Sequence, residues 1–97
     1  MLVLRTLARG KPLHGFEIAE AILRRSDDVL RVEEGSLYPA LQRMMARGWL
    51  EGEWGRTADN RRARYYQLTA VGRKHLQQEL ERYERVSVAI ARILELA

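Results

Sequence analysis

The sequence predicts a mainly α-helical fold with one small β-hairpin and a long C-terminal helix. Three observations carry that reading. Three short segments repeat apolar residues at helical spacing, two alternating segments flank a turn rich in Asp, Asn and Arg, and Ala70 to Ala97 reads as one continuous helix.

Leu2, Val3, Leu4, Leu7 and Ala8 place apolar groups at helical spacing, and Gly10 with Pro12 ends the run. No capping residue stands ahead of this helix, so a further segment upstream is expected. His14 to Arg25 reads as a second helix, with Phe16, Ile18, Ala19, Ile22 and Leu23 as its apolar stripe and Glu17, Glu20 and Arg24 facing out. Glu17 near its start and Arg24 with Arg25 near its end both suit the helix dipole. Ser26 to Glu33 is a connecting loop.

A third helix is expected from Gly35 to Arg47, stopped by Gly48 as a left-handed C-cap. Leu37, Leu41, Met44 and Met45 form its buried side, and Pro39 falls in the first turn, where a missing N–H costs little. Ser36, Tyr38, Gln42 and Arg43 are left exposed. A polar, aromatic and basic face at a helix N-terminus suits contact with base edges.

Trp49 to Trp54 and Ala63 to Thr69 both alternate; Leu50 and Trp54 share a face of the first strand, Tyr66 and Leu68 a face of the second. The turn between them, Gly55 to Arg62, is the tip of a hairpin. Thr69 is a plausible N-cap for the last helix, which at 1.5 Å per residue would be about 42 Å long. A globule of this size has a radius of gyration of about 13 Å, so the helix must overhang its domain. Leu76, Leu80, Tyr83, Ile90, Leu94 and Ala97 fit a 4-3 repeat interrupted by Ser87, and from Val86 to Ala97 the helix is apolar on more than one side. Two apolar faces call for a second chain, which predicts a homodimer.

Composition narrows the chemistry. Ninety-seven residues form one small domain whose thin core hides about 60–68% of the unfolded surface. The absence of cysteine removes disulfides, thiolate metal sites and cysteine nucleophiles. His14 and His75 alone cannot supply a histidine metal cage, and neither has a nucleophile or carboxylate pair at useful spacing, so no enzyme, metal or cofactor is expected. His14 at a helix start is explained by capping or by a phosphate contact. No apolar run reaches the roughly 20 residues of a membrane span and no signal-peptide pattern opens the chain. A soluble protein of the cytoplasm, without a membrane partner, is the expectation.

The charge is uneven. The net charge is +4, yet residues 1–55 sum to zero and residues 75–97 to −1. Arg56, Arg61, Arg62, Arg64, Arg73 and Lys74 against Asp59 alone give +5 between residues 56 and 74. An arginine cluster suits phosphate, because the guanidinium fork donates two parallel hydrogen bonds and sheds water easily. From charge alone, a solvated basic loop remains an equal reading. A hairpin tip with almost no apolar residue contributes little to a core, and that favours contact with a ligand.

Helix, helix, helix, hairpin, long helix is a winged helix-turn-helix (α-α-α-β-β) with a C-terminal dimerisation helix. Residues 1–69 would be the DNA-binding domain and residues 70–97 the dimerisation helix packed on it. Two such domains in a two-fold dimer would offer their third helices to successive major grooves, ~34–36 Å apart.

The residues also resemble the PadR-like transcriptional regulators. The likeness runs through Leu13 to Ala19, Gly35 to Arg43, Arg47 to Leu50, Asn60 to Ala70 and Gly72. It implies a dimeric bacterial repressor on a palindromic site in double-stranded DNA. Many members release DNA when a small compound binds near the dimer interface, so the resemblance admits such an effector. By the resemblance, Ser36, Tyr38 and Pro39 match the helix-start motif, while Gln42 and Arg43 would set sequence preference. Asn60, Arg61, Arg62 and Arg64 match the wing motif and would hold the backbone or minor groove. Tyr66 and Leu68 match inward strand positions, and Phe16 replaces a common tyrosine and is expected in the core. The dimer interface is assigned to Leu4, Leu80, Tyr83, Val86, Ile90, Ile93 and Leu94. The last helix has no tryptophan, so an aromatic effector pocket is not carried over, and Tyr83 is expected to pack. A protein-interaction module would share the fold and the dimer but would not need six basic side chains around the wing.

Overall fold

The computed structural model describes residues 1–95; the apolar pattern at Leu96 and Ala97 lies outside the described residues. Its elements are α1 (Leu2–Leu7), β1 (Leu13–His14), α2 (Gly15–Arg25), α3 (Glu34–Ala46), β2 (Leu50–Arg56), β3 (Arg62–Leu68) and α4 (Ala70–Ile93). The strands form one antiparallel sheet in the order β1-β3-β2. The fold is the winged-helix arrangement expected from the order of elements, with one strand more than the hairpin.

That extra strand pairs Leu13 with Tyr66 and His14 with Tyr65. His14 then caps α2: its Nδ1 accepts from the Glu17 N–H at 3.4 Å, and the Glu17 carboxylate accepts from the His14 N–H at 3.1 Å. This reciprocal box satisfies two donors that a helix start would otherwise leave orphaned.

Val3, Leu4 and Leu7 of α1, Ile18 and Ile22 of α2, and Leu37 and Leu41 of α3 meet Leu50, Tyr66 and Leu68 of the sheet in one core. Leu76 closes it from α4. Leu4, expected at the dimer interface, is only 1% exposed and is enclosed within its own chain's core. Phe16, expected in the core, is 59% exposed. At 3.6 residues per turn it stands about 160° around α2 from Ile18, on the far side from the buried stripe.

α3 begins at Glu34, one residue earlier than expected; Pro39 is its sixth residue, in the second turn rather than the first, and leaves the Gly35 carbonyl without its helical donor. Its end matches the expectation. Gly48 has φ +77°, its N–H donates to the Met45 carbonyl, and the Trp49 N–H donates to the Met44 carbonyl. That pair of hydrogen bonds across a left-handed glycine is a Schellman ending. Thr69 caps α4 by accepting from the Gly72 N–H at 3.0 Å.

α4 stops at Ile93 rather than at Ala97, with Leu94 as its C-cap and Glu95 in the left-handed region at φ +59°. Its first turns pack on the domain through Gly72 and Leu76; from Glu81 to Ile90 every residue is exposed. The overhang gives the chain an extent of 52 × 29 × 23 Å and a radius of gyration of 15.2 Å.

Gly72 sets how closely α4 approaches the sheet. A Cβ there would overlap the Trp49 carbonyl oxygen and crowd the Leu68 side chain, both of which are fixed by the core. Gly72→Ala should therefore lower stability by about 1–3 kcal/mol, read as a fall in melting temperature of roughly 4–8 °C per kcal/mol. Gly35→Ala, where a Cβ meets nothing within 4 Å, should leave stability unchanged or raise it by up to about 1 kcal/mol. Equal melting of Gly72→Ala and the parent would contradict the close approach.

Candidate nucleic-acid interface

Strand alternation sorts the hairpin's side chains by charge. The pairs are Leu50↔Leu68, Gly52↔Tyr66, Trp54↔Arg64 and Arg56↔Arg62 on one face, and Glu51↔Gln67, Glu53↔Tyr65 and Gly55↔Ala63 on the other. At the base of the first face Leu50, Tyr66 and Leu68 are buried in the core. Farther out that face carries Arg56, Arg62 and Arg64, while the opposite face carries Glu51 and Glu53. Arg62 and Arg64 thus project on the same side as the helices, whereas Arg56 borders the cleft that Glu51 and Glu53 line.

That side meets α3. His14, Gly15, Phe16, Tyr38, Gln42, Trp54, Arg62 and Arg64 line one cleft between the start of α2, the exposed face of α3 and the hairpin. Ser36, Tyr38, Pro39, Gln42 and Arg43 are all exposed, as expected. Tyr38 lies across Gly15, where a Cβ would stand 3.1 Å from its ring. The glycine is what lets the tyrosine lean on the start of α2.

The hairpin tip is built by its own side chains. The Asn60 N–H donates to the Thr57 carbonyl at 2.9 Å, and Asn60 takes φ +62°, which asparagine tolerates well. The Thr57 hydroxyl donates to Asp59 at 2.6 Å and holds its carboxyl below the ordinary value. Arg61 lies 3.5 Å from that carboxylate with its side chain 83% exposed. Arg56 donates to the Asn60 backbone carbonyl and side-chain oxygen, both at 3.4 Å. Asn60 thus shapes the loop as well as standing at its tip.

Arg62 and Arg64 are held differently. The Arg62 guanidinium carbon sits 4.4 Å from the centre of the Trp54 ring and that of Arg64 at 5.9 Å. Arg64 crosses β2 at Gly52, whose missing side chain makes the room, and its Nε is buried without a hydrogen-bond partner. Burial raises the phenol of Tyr66 beside it above the ordinary value, and Arg64 pulls it the other way.

Phe16, Trp54 and Gly15 line this cleft and Gly52 makes room for Arg64, roles that the sequence alone does not assign them. Trp54 had a usable signal. Counting the hairpin register back from the turn puts it opposite Arg64 and beyond the last core pair. His75, by contrast, serves packing: its ring stacks on Trp49 at 3.7 Å and its Nε2 lies 3.5 Å from Glu79.

Comparison with known proteins agrees with this geometry. The family model of the transcriptional regulator PadR-like family matches residues 3–78. A transcriptional regulator from Clostridium thermocellum is 27% identical, with a TM-score of 0.84 over 94% of this chain and 87% of its own. A PadR-like transcriptional regulator from Bacillus cereus is 24% identical with a TM-score of 0.79, over 95% of this chain and 86% of its own, and supports the fold alone. A protein of Lysinibacillus sphaericus described as uncharacterized protein X is 26% identical, over 97% of this chain and 85% of its own. With its fold, charged face and family match in agreement, the chain belongs to the PadR-like family of transcriptional regulators, DNA-binding proteins rather than enzymes.

Proposed function

We propose that the chain is a homodimeric repressor of the cytoplasm that binds a palindromic promoter site in double-stranded DNA. α3 enters the major groove through Ser36, Tyr38, Pro39, Gln42 and Arg43, and Asn60, Arg61, Arg62 and Arg64 grip the backbone or minor groove alongside. The observation that carries this reading is the cleft in which Tyr38 and Gln42 of α3 join Arg62 and Arg64. Opposite it, the hairpin bears glutamates, which repel phosphate and set the orientation.

The dimer reading rests on α4. Tyr83, Val86, Val88, Ile90, Ile93 and Leu94 are each 45–81% exposed, too much aliphatic surface for one chain to leave in water. A second copy covering Leu80, Tyr83, Val86, Ile90, Ile93 and Leu94 would bury it and turn two α3 helices toward one face of the duplex. Likeness to the PadR-like family supports the further reading of repression, a palindromic site and release by a small-molecule effector of unassigned chemistry at the dimer interface.

If Arg56 joins Arg61, Arg62 and Arg64 in reaching phosphate, four arginines per subunit let a dimer neutralise about eight charges, and log K should fall against log salt with a slope of about −7. A gel-shift titration on the gene's own upstream region measures it; a flat salt response or no shift would contradict the DNA reading. Arg61→Ala with Arg62→Ala should weaken binding to all sequences alike, whereas Gln42→Ala or Arg43→Ala should change which sequence is preferred. Light scattering on Ile90→Glu should give the monomer mass, and an unchanged dimer mass would place the interface elsewhere.

A further inference from the structure

Four arginines stand in the hairpin, and they are held in two ways. Arg56 and Arg61 are engaged by acceptors of the loop itself, Asn60 and Asp59. Arg62 and Arg64 form no ion pair among the described residues and instead lie on an indole face and over a glycine. The difference matters for an anionic ligand. A carboxylate partner occupies the same N–H donors that a phosphate needs and must be displaced before binding. A guanidinium held over a ring face spends no hydrogen-bond donor on it; the Arg64 Nε is buried, so its terminal nitrogens are the donors left for a ligand.

Trp54 has no other evident purpose. It is 56% exposed, contributes nothing to the buried core, and stands on the core-facing side of the strand but beyond the last buried pair. Its cross-strand partner is Arg64, and Arg62 is the diagonal neighbour on the same face, so both arginines come within reach of one ring.

We propose that Trp54 is a positioning residue for DNA binding: it pre-aims Arg62 and Arg64 toward the phosphate backbone without consuming their hydrogen-bond donors. This rests on the DNA-binding reading above. The rotamer freedom of a long side chain is then lost on folding, not on binding, and affinity rises without a new contact to the nucleic acid. Gly52 serves the same end for Arg64, whose Nε passes where a side chain at 52 would stand.

The test is fluorescence anisotropy with a mixed-sequence duplex of about 30 base pairs at about 50 mM salt, since phosphate contacts act on any sequence. Trp54→Ala and Trp54→Leu should each bind roughly 10-fold more weakly, while Trp54→Phe, which keeps an aromatic face, should stay within about 3-fold of the parent. Leucine fills apolar volume without a π face, which separates stacking from bulk, and circular dichroism melts confirm that each variant is folded. In an Arg62→Ala, Arg64→Ala background, replacing Trp54 should cost nothing further. Parent-like binding by both Trp54→Ala and Trp54→Leu would overturn the proposal. So would a loss that persists undiminished in the arginine-free background, since the indole would then touch DNA itself. A parent chain that fails to bind the duplex at all would instead refute the DNA reading on which the proposal stands.

Discussion

The register of the β2–β3 hairpin decides on which side of the molecule its arginines stand. Side chains alternate along a strand, so a slip of one residue would send Arg62 and Arg64 to the outer face and bring Ala63 and Tyr65 toward α3. The register is pinned at the base by the core as well as at the tip by the bonds of the turn. Leu50 and Leu68 face each other in the core, the Thr69 N–H donates to the Trp49 carbonyl, and Gly72 admits that same carbonyl against α4. Core packing thereby sets the geometry of a charged surface that lies beyond the core.

From that constraint the rest follows in order. The buried end of the hairpin face carries the tertiary fold, and its exposed end carries charge. α3 supplies the neighbouring wall because Leu37 and Leu41 are buried in the same core, which turns Tyr38, Gln42 and Arg43 outward. β1 ties the start of α2 to Tyr66 and Tyr65, and so holds Gly15 under Tyr38. The cleft is the meeting of three elements, each fixed by its own buried residues.

The features legible in the sequence are those written locally. Gly48 and Thr69 end and begin helices by their own backbone and side-chain bonds, and the Leu, Ile and Met spacing of the helices is a short-range pattern. The exposed residues of α3 and the basic tip could be read for the same reason. β1 could not, because two residues become a strand only through pairing with β3, some fifty positions away. The start of α3 was displaced by one residue because Glu33 caps it without a side-chain bond, leaving no local mark. The places of Phe16 and Trp54 are not legible in the sequence, for one physical cause. A large apolar side chain is ordinarily core, and both stand where the core has already ended.

The central claim is that the exposed face of α3 and the arginine face of the hairpin form one surface for duplex DNA. NMR titration of the isotope-labelled chain with duplex DNA tests it most directly, since every backbone amide and the Trp54 indole report separately. Shifts should concentrate at Ser36, Tyr38, Gln42, Arg62, Arg64 and the Trp54 indole, with Glu51, Glu53 and Gln67 on the outer sheet face left in place. Shifts centred on the glutamate face, or on the hairpin without α3, would contradict it.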